Sequence, residues 1–211
     1  PLHAGWTTRR KSQHFDAYSE VARSFASVMD IDPWLIDPLY DVCGDIDFQE
    51  RSGEECLATR VGALLARIRE KYAQHGVDHE PFVIVKADAG TYGMGIMTVR
   101  DPSEVVGLNR KQRNKMAVVK EGLEVSSVLI QEGVPTFESV DGGAAEPVVY
   151  MMDRYVVGGF YRVHGERGID ENLNAPGMHF KPLAFESCCS MPDPGCAPDA
   201  PPNRFYAYGV V

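Results

Sequence analysis

The chain has 211 residues, 44% of them hydrophobic and 24% charged, enough for one large domain or two small ones. A net charge of −9 argues against nucleic acid as the main partner, and no apolar run approaches the length of a membrane span. The five cysteines form no regular framework and no secretion signal precedes them, which points to reduced thiols in a cytoplasm. Cys188, Cys189 and Cys196 lack the spacing of a structural zinc site. The chain begins with Pro1 rather than Met, and its last residues, Phe205 to Val211, read as an apolar element cut in mid-course. Both features suggest a fragment of a longer protein.

In chain order, residues 15–29 place Phe15, Tyr18, Ala22, Phe25 and Met29 at helical spacing, and Pro33 blocks continuation. Residues 30–53 are rich in Pro and Asp and read as a largely irregular connection. A second helix is predicted over 54–72, with Leu57, Val61, Leu64, Leu65, Ile68 and Tyr72 as its apolar stripe and Gly76 after its end. Residues 82–86 form a β-branched strand, and residues 96–99 form a second that completes a hairpin. The basic residues Arg110, Lys111, Arg113, Lys115 and Lys120 read either as a solvated helix face or as a positive field that draws in polyanions. Residues 128–131 are a third strand. Residues 148–152 and 155–161 suggest another hairpin, turning at or near Asp153-Arg154. The proline-rich stretch 187–204 reads as loop. Helices followed by antiparallel strands indicate an α+β chain, divided into a helical region, 1–80, and a strand-rich region, 81–211, truncated at its C-terminus.

The most informative stretch is FVIVKADAGTYGMGIMTV, residues 82–99. Gly90, Gly93 and Gly95 give a loop whose amides can approach an anion closely, although a glycine trio alone also suits a flexible hairpin tip. The order of the parts decides more. A P-loop lysine follows its glycines and opens a helix, and a kinase lysine lies on the strand after them. Here Lys86 ends the strand before the loop, and another strand follows. That order resembles the ATP-grasp superfamily, in which the lysine contacts nucleotide phosphates and the loop closes over them as a flap. The resemblance implies two further matches. Gln131, Glu132 and Val134 stand where the hinge binds adenine and ribose, and Lys11, at the start of the first helix, stands where a second lysine contacts phosphate.

Past the second hairpin, Arg162 ends a strand and the polar run Asp170-Glu171-Asn172-Leu173-Asn174 follows. A guanidinium at such a place can stabilise charge on a transferring phosphoryl group. Bunched carboxylate and amide oxygens suit Mg2+, so Asp170, Glu171, Asn172 and Asn174 are candidate metal ligands. The same loop also suits substrate contact or an ordinary Asx-rich turn. Glu146 is a weaker candidate for metal or ribose, and His164 for proton transfer.

The strings VKADAGTYGMGIMTV, LNRKQRNKMAVVKEG, QEGVPTF, EPVVYMMDRYVVGGFYRVH and ENLNAPGMHFKPLAF resemble the proteobacterial glutamate–cysteine ligase family over nearly the whole chain. The resemblance implies that ATP, with Mg2+, activates the γ-carboxylate of glutamate as γ-glutamyl phosphate. The cysteine amine then displaces phosphate, the first step of glutathione synthesis. No nucleophilic side chain is needed, so the chain's cysteines are not expected to be catalytic. The residues themselves leave open another amino-acid ligase of glutathione synthetase type, or a nucleotide-binding module without catalysis. They carry no signal of oligomeric state.

Overall fold

The computed structural model describes residues 9–90, 95–117, 124–153 and 155–183. Gly93, Lys120, Arg154, the 187–204 stretch, the final apolar element and Cys188, Cys189 and Cys196 lie outside the described residues. The fold is α+β with antiparallel sheets, as an ATP-grasp-like chain requires. It packs as two units, Pro1–Val134 and Pro135–Val211. The boundary expected at residue 80 falls inside the first unit, because the long helix before it and the strand after it share one core.

In the first unit, α1 (Lys11–Met29) and a 3-10 turn (Pro33–Leu35) lead into β1 (Tyr40–Gly44) and α2 (Glu54–His75). Then follow β2 (Val83–Ala87), β3 (Ile96–Val99), α3 (Ser103–Val106), α4 (Arg110–Ala117) and β4 (Ser127–Glu132). The sheet order is β1-β4-β2-β3, antiparallel throughout. The strand β1 lies inside the segment expected to be irregular. Its ladder partner β4 holds it in place where local sequence does not.

The α2 stripe forms as its spacing requires. Leu57, Val61, Leu64, Leu65, Ile68 and Tyr72 are all buried, and Gly76 ends the helix at φ 66°, a left-handed value that glycine adopts without strain. This face meets Val83 and Val85 of β2 and Val128 and Ile130 of β4. Each such side chain contributes about 1.5–3 kcal/mol by leaving water.

The burial of α1 differs from expectation. Its buried residues are Ser12, Ser19, Ala22 and Ala26, whereas Tyr18, Phe25 and Met29 are exposed. Small side chains let this helix sit close, and the larger ones fall on the other side. Its start is fixed from a distance. Arg10 at the N-cap makes no capping bond. Instead the buried Asp88 carboxylate accepts from the Ser12 amide at 2.7 Å and from the Ser12 hydroxyl at 2.8 Å. That satisfies one of the helix's orphan N–H groups and places negative charge at its positive end.

The second unit is a four-stranded antiparallel sheet in the order β5 (Ser139–Val140), β6 (Gly143–Met152), β7 (Tyr155–His164), β8 (His179–Pro182). The β6–β7 hairpin turns where expected but is longer, ten residues on each side. Among the described residues its buried cluster is Ala145, Tyr161, Val163 and Leu183.

Candidate active site

In the first unit, alternation along β2 sends Val83, Val85 and Ala87 into the core and Ile84 and Lys86 to the opposite face. The α1 side chain Phe15 stands over that face, 5.1 Å by ring centroid from Tyr40 and 5.1 Å from the Lys86 ammonium. Lys86 Nζ also donates to Gln131 Oε1 at 2.5 Å, a diagonal neighbour on β4. Burial, helped by the charge of Lys11, pushes the Lys86 ammonium down to about 8.

Around these side chains lies a cavity of about 320 Å3 lined by Arg9, Arg10, Lys11, His14, Phe15, Lys86 and Gly90. Four of the seven are cations and none is an acid, in a chain of net charge −9. Such a local concentration of positive charge around a hollow attracts an anion, and the Phe15 ring offers an apolar face beside it. Lys11 Nζ donates to the carbonyls of Ala87, Ala89 and Gly90 at 2.7, 3.2 and 3.0 Å, so it ties the start of α1 to the base of the glycine loop. Desolvation lowers its pKa, partly opposed by Asp88. Gly95 (φ 63°) closes the loop, accepting from the Ala87 amide at 3.2 Å. The structure thus brings Lys11, Lys86, Gly90 and Gln131 together.

Glu132, expected in the nucleotide hinge, turns its carboxylate inward. Its buried carboxylate accepts from Trp34 Nε1 at 3.1 and 3.0 Å and from the Leu39 amide at 2.8 Å, pinning the 3-10 turn and the start of β1 to β4. Burial raises its pKa even so. Both oxygens are therefore committed to the fold. Gly133 follows because a Cβ there would come within 2.0 Å of the Phe82 ring. Val134 is exposed.

In the second unit, Arg162 of β7 stands directly opposite Glu146 of β6 and forms an ion pair with it through Nη1. Its Nε is buried without a hydrogen-bond partner, a donor that an anionic group would satisfy. Both nitrogens of His164 are engaged: Nδ1 accepts from the Glu166 amide at 3.2 Å, and Nε2 donates to the Pro176 carbonyl at 3.0 Å. This histidine staples the loop rather than presenting a free ring nitrogen.

Two of that loop's candidate ligands bond locally. Glu171 accepts from the Gly168 amide and from Arg167, both at 2.8 Å, and these bonds hold its carboxyl below the usual range. Asn172 Oδ1 accepts from the Asn174 amide at 3.0 Å, an Asx turn, while Leu173 is buried between them. Among the described residues no three His, Cys, Asp or Glu side chains converge. Glu171 and Asn172 thus accept local hydrogen bonds within the turn that Mg2+ would have to share or replace.

The family profile for glutamate-cysteine ligase, GshA, matches residues 1–211. The chain belongs to the glutamate-cysteine ligase family. It is also similar to the 1.90 Å crystal structure of a protein assigned as a gamma-glutamylcysteine synthetase from Methylobacillus flagellatus KT, at 68% identity and a TM-score of 0.82. That match covers 100% of this chain and 50% of the other, so the chain spans half the length of the solved structure. None of the curated proteins matches.

For this glutamate-cysteine ligase family member, sequence reasoning missed Asp88, Phe15 and the paired arginines Arg9 and Arg10. Asp88 carried one signal, since an acid within a loop read as anion-binding calls for a partner elsewhere.

Proposed function

We propose that this chain carries the nucleotide-binding part of an ATP-dependent ligase that joins the γ-carboxylate of glutamate to the amine of cysteine. Family membership supports the reaction class, and the cationic cavity around Lys86 and Lys11 is the observation that carries the assignment to ATP. In this reading the glutamate γ-carboxylate attacks the γ-phosphorus of ATP, ADP leaves, and the resulting acyl phosphate loses phosphate to the cysteine amine. The protein's task is positioning and charge neutralisation. Lys86, already desolvated, offers its ammonium to phosphate oxygens at little further desolvation cost, and Gln131 and Phe15 hold it in place. Lys11 fixes the base of the loop by its bonds to the backbone carbonyls of residues 87–90 and adds a second positive charge. Arg162 is the candidate for charge stabilisation in the second unit, oriented by Glu146, with its buried Nε the donor still to be satisfied. Magnesium would accompany ATP as phosphate counter-ion. No step is routed through it. The small-molecule partners are ATP, glutamate and cysteine, and the working compartment is the cytoplasm. Among the described residues no helix is long and apolar enough to cross a membrane.

Calorimetric titration with ATP and Mg2+ tests this directly. Wild-type chain is expected to bind, and Lys86→Ala to bind more weakly by about 1.5–3 kcal/mol, the usual worth of a hydrogen bond to a charged group. Equal affinity in the two proteins would remove the nucleotide from this cavity.

A further inference from the structure

Two cysteines stand apart from the cavity. Cys43, on β1, is 1% exposed, and Cys56 lies exposed in the first turn of α2. Both are free thiols, and their sulfurs are 3.6 Å apart, the Cys43 S–H directed at Cys56 Sγ. A disulfide bond is about 2.05 Å long, so closure asks for an approach of about 1.5 Å, within reach of side-chain torsions and small backbone adjustment.

Their surroundings give the two sulfurs different roles. Cys56 sits where the orphan amides and dipole of α2 favour an anion. Arg60, one turn further on, hydrogen-bonds Cys56 and holds its thiol below the usual value, with the Cys43 S–H adding to the effect. Asp41 acts the other way, but it is itself bridged to Arg60 at 2.9 and 3.1 Å. Burial pushes the Cys43 thiol up. The nucleophilic sulfur is thus the accessible one, and the buried sulfur waits in contact with it.

We propose that Cys43 and Cys56 form a reversible oxidation site, in which a hydroperoxide oxidises Cys56 and Cys43 then closes a disulfide between β1 and α2. In the first step the Cys56 thiolate attacks a peroxide oxygen. The O–O bond breaks, hydroxide or alkoxide leaves and takes up a proton, and Cys56 becomes a sulfenic acid. In the second step the Cys43 sulfur attacks Cys56 Sγ. The S–O bond breaks, and hydroxide leaves as water with the Cys43 proton. For hydrogen peroxide the balance is two thiols and one peroxide to one disulfide and two waters, sulfur being oxidised and peroxide reduced. An external dithiol reverses it by exchange. Because Cys43 lies opposite Val128 in the ladder, the bond would tie the first turn of α2 to the β1–β4 pair. The site is independent of the ligase reading.

The test is peptide mapping of the whole chain, alkylated without reduction after limited hydrogen peroxide. A linked peptide joining Cys43 to Cys56 is expected, lost on treatment with dithiothreitol. Cys188, Cys189 and Cys196 serve as internal controls in the same map. In Cys43→Ser, Cys56 should instead be trapped by dimedone as the sulfenic acid. Arg60→Met should slow alkylation of Cys56 several-fold at neutral pH. The wild-type map needs no variant to fold. The proposal is overturned if Cys43 and Cys56 stay reduced while the other cysteines oxidise. It is overturned equally if Cys56 alkylates no faster in the folded chain than in denaturant.

Discussion

The two units hold their charged groups by different means. The first unit has a broad core in which one face of α2 meets one face of a four-stranded sheet, and Lys86 stands on the other face of that sheet. The second also has four strands among the described residues, but there its buried cluster is four residues, and Tyr150, Met151, Met152, Tyr155 and Val157 near the hairpin turn are exposed. Its candidate site arginine, Arg162, is oriented by a cross-strand carboxylate. A large core allows a side chain to be desolvated, and desolvation makes a lysine titrate near neutral pH. A thin sheet does better with arginine, which stays charged whatever its surroundings.

The sharpest way to break this comparison is to make the same deletion in both cores. Leu57 is 0% exposed and Leu183 is 2% exposed, so burial alone does not separate them. Leu→Ala costs about 2–5 kcal/mol depending on how well the site collapses. Leu57→Ala should fall near the top of that range and Leu183→Ala near the bottom, read by denaturant unfolding. Equal losses would mean that the second unit is as firmly packed as the first.

The second contrast is in pH. Lys86 titrates at about 8 in the folded chain against an ordinary 10.5. Between those values the unfolded chain holds the proton more tightly, so this group's contribution to stability rises as pH climbs through that window. Nucleotide affinity should move in the opposite direction. It should fall above pH 8 by up to about tenfold per pH unit, since the phosphate contact needs the ammonium. Lys86→Arg should flatten the fall, and Arg162→Lys should leave its midpoint in place. An affinity that is level from neutrality to high pH in wild-type chain would contradict the desolvated lysine.

The smallest expected effect concerns how α1 is held. Asp88→Ala removes the acceptor for the Ser12 amide and hydroxyl, a loss comparable to a missing helix cap, about 0.5–2 kcal/mol. Hydrogen exchange should show the loss concentrated in α1, with α2 protected as before. A uniform loss across the unit would assign Asp88 to the core instead.

Much of this was legible in the sequence where period and chemistry agreed. The α2 stripe, the β2–β3 hairpin and β4 were set by apolar spacing, and the strand-lysine-glycine order singled out Lys86 before any coordinates. The rest depended on partners distant in the chain. β1 reads as irregular because Asp41 and the flanking prolines hide it, and only its ladder with β4 reveals it. The buried side of α1 was misjudged because aromatic residues signal burial by type, while here alanines and serines make the close contact. Glu132 fits a hinge by position, but its carboxylate turns inward to Trp34 and Leu39, which no local pattern announces.

The bonds that start α1 also join two distant parts of the chain. Lys11 and Ser12 find their partners 76 to 79 residues further along. Those partners exist in the right geometry only after β2 and the base of the glycine loop are in place. A contact of that span closes a long loop and is made at high entropic cost. The first turn of the first helix is therefore held by the middle of the chain, while Tyr18 and Ser19 bond nearer neighbours, Ile36 and Asp37. The cavity it borders becomes complete only when the chain's beginning returns to a surface built by its middle.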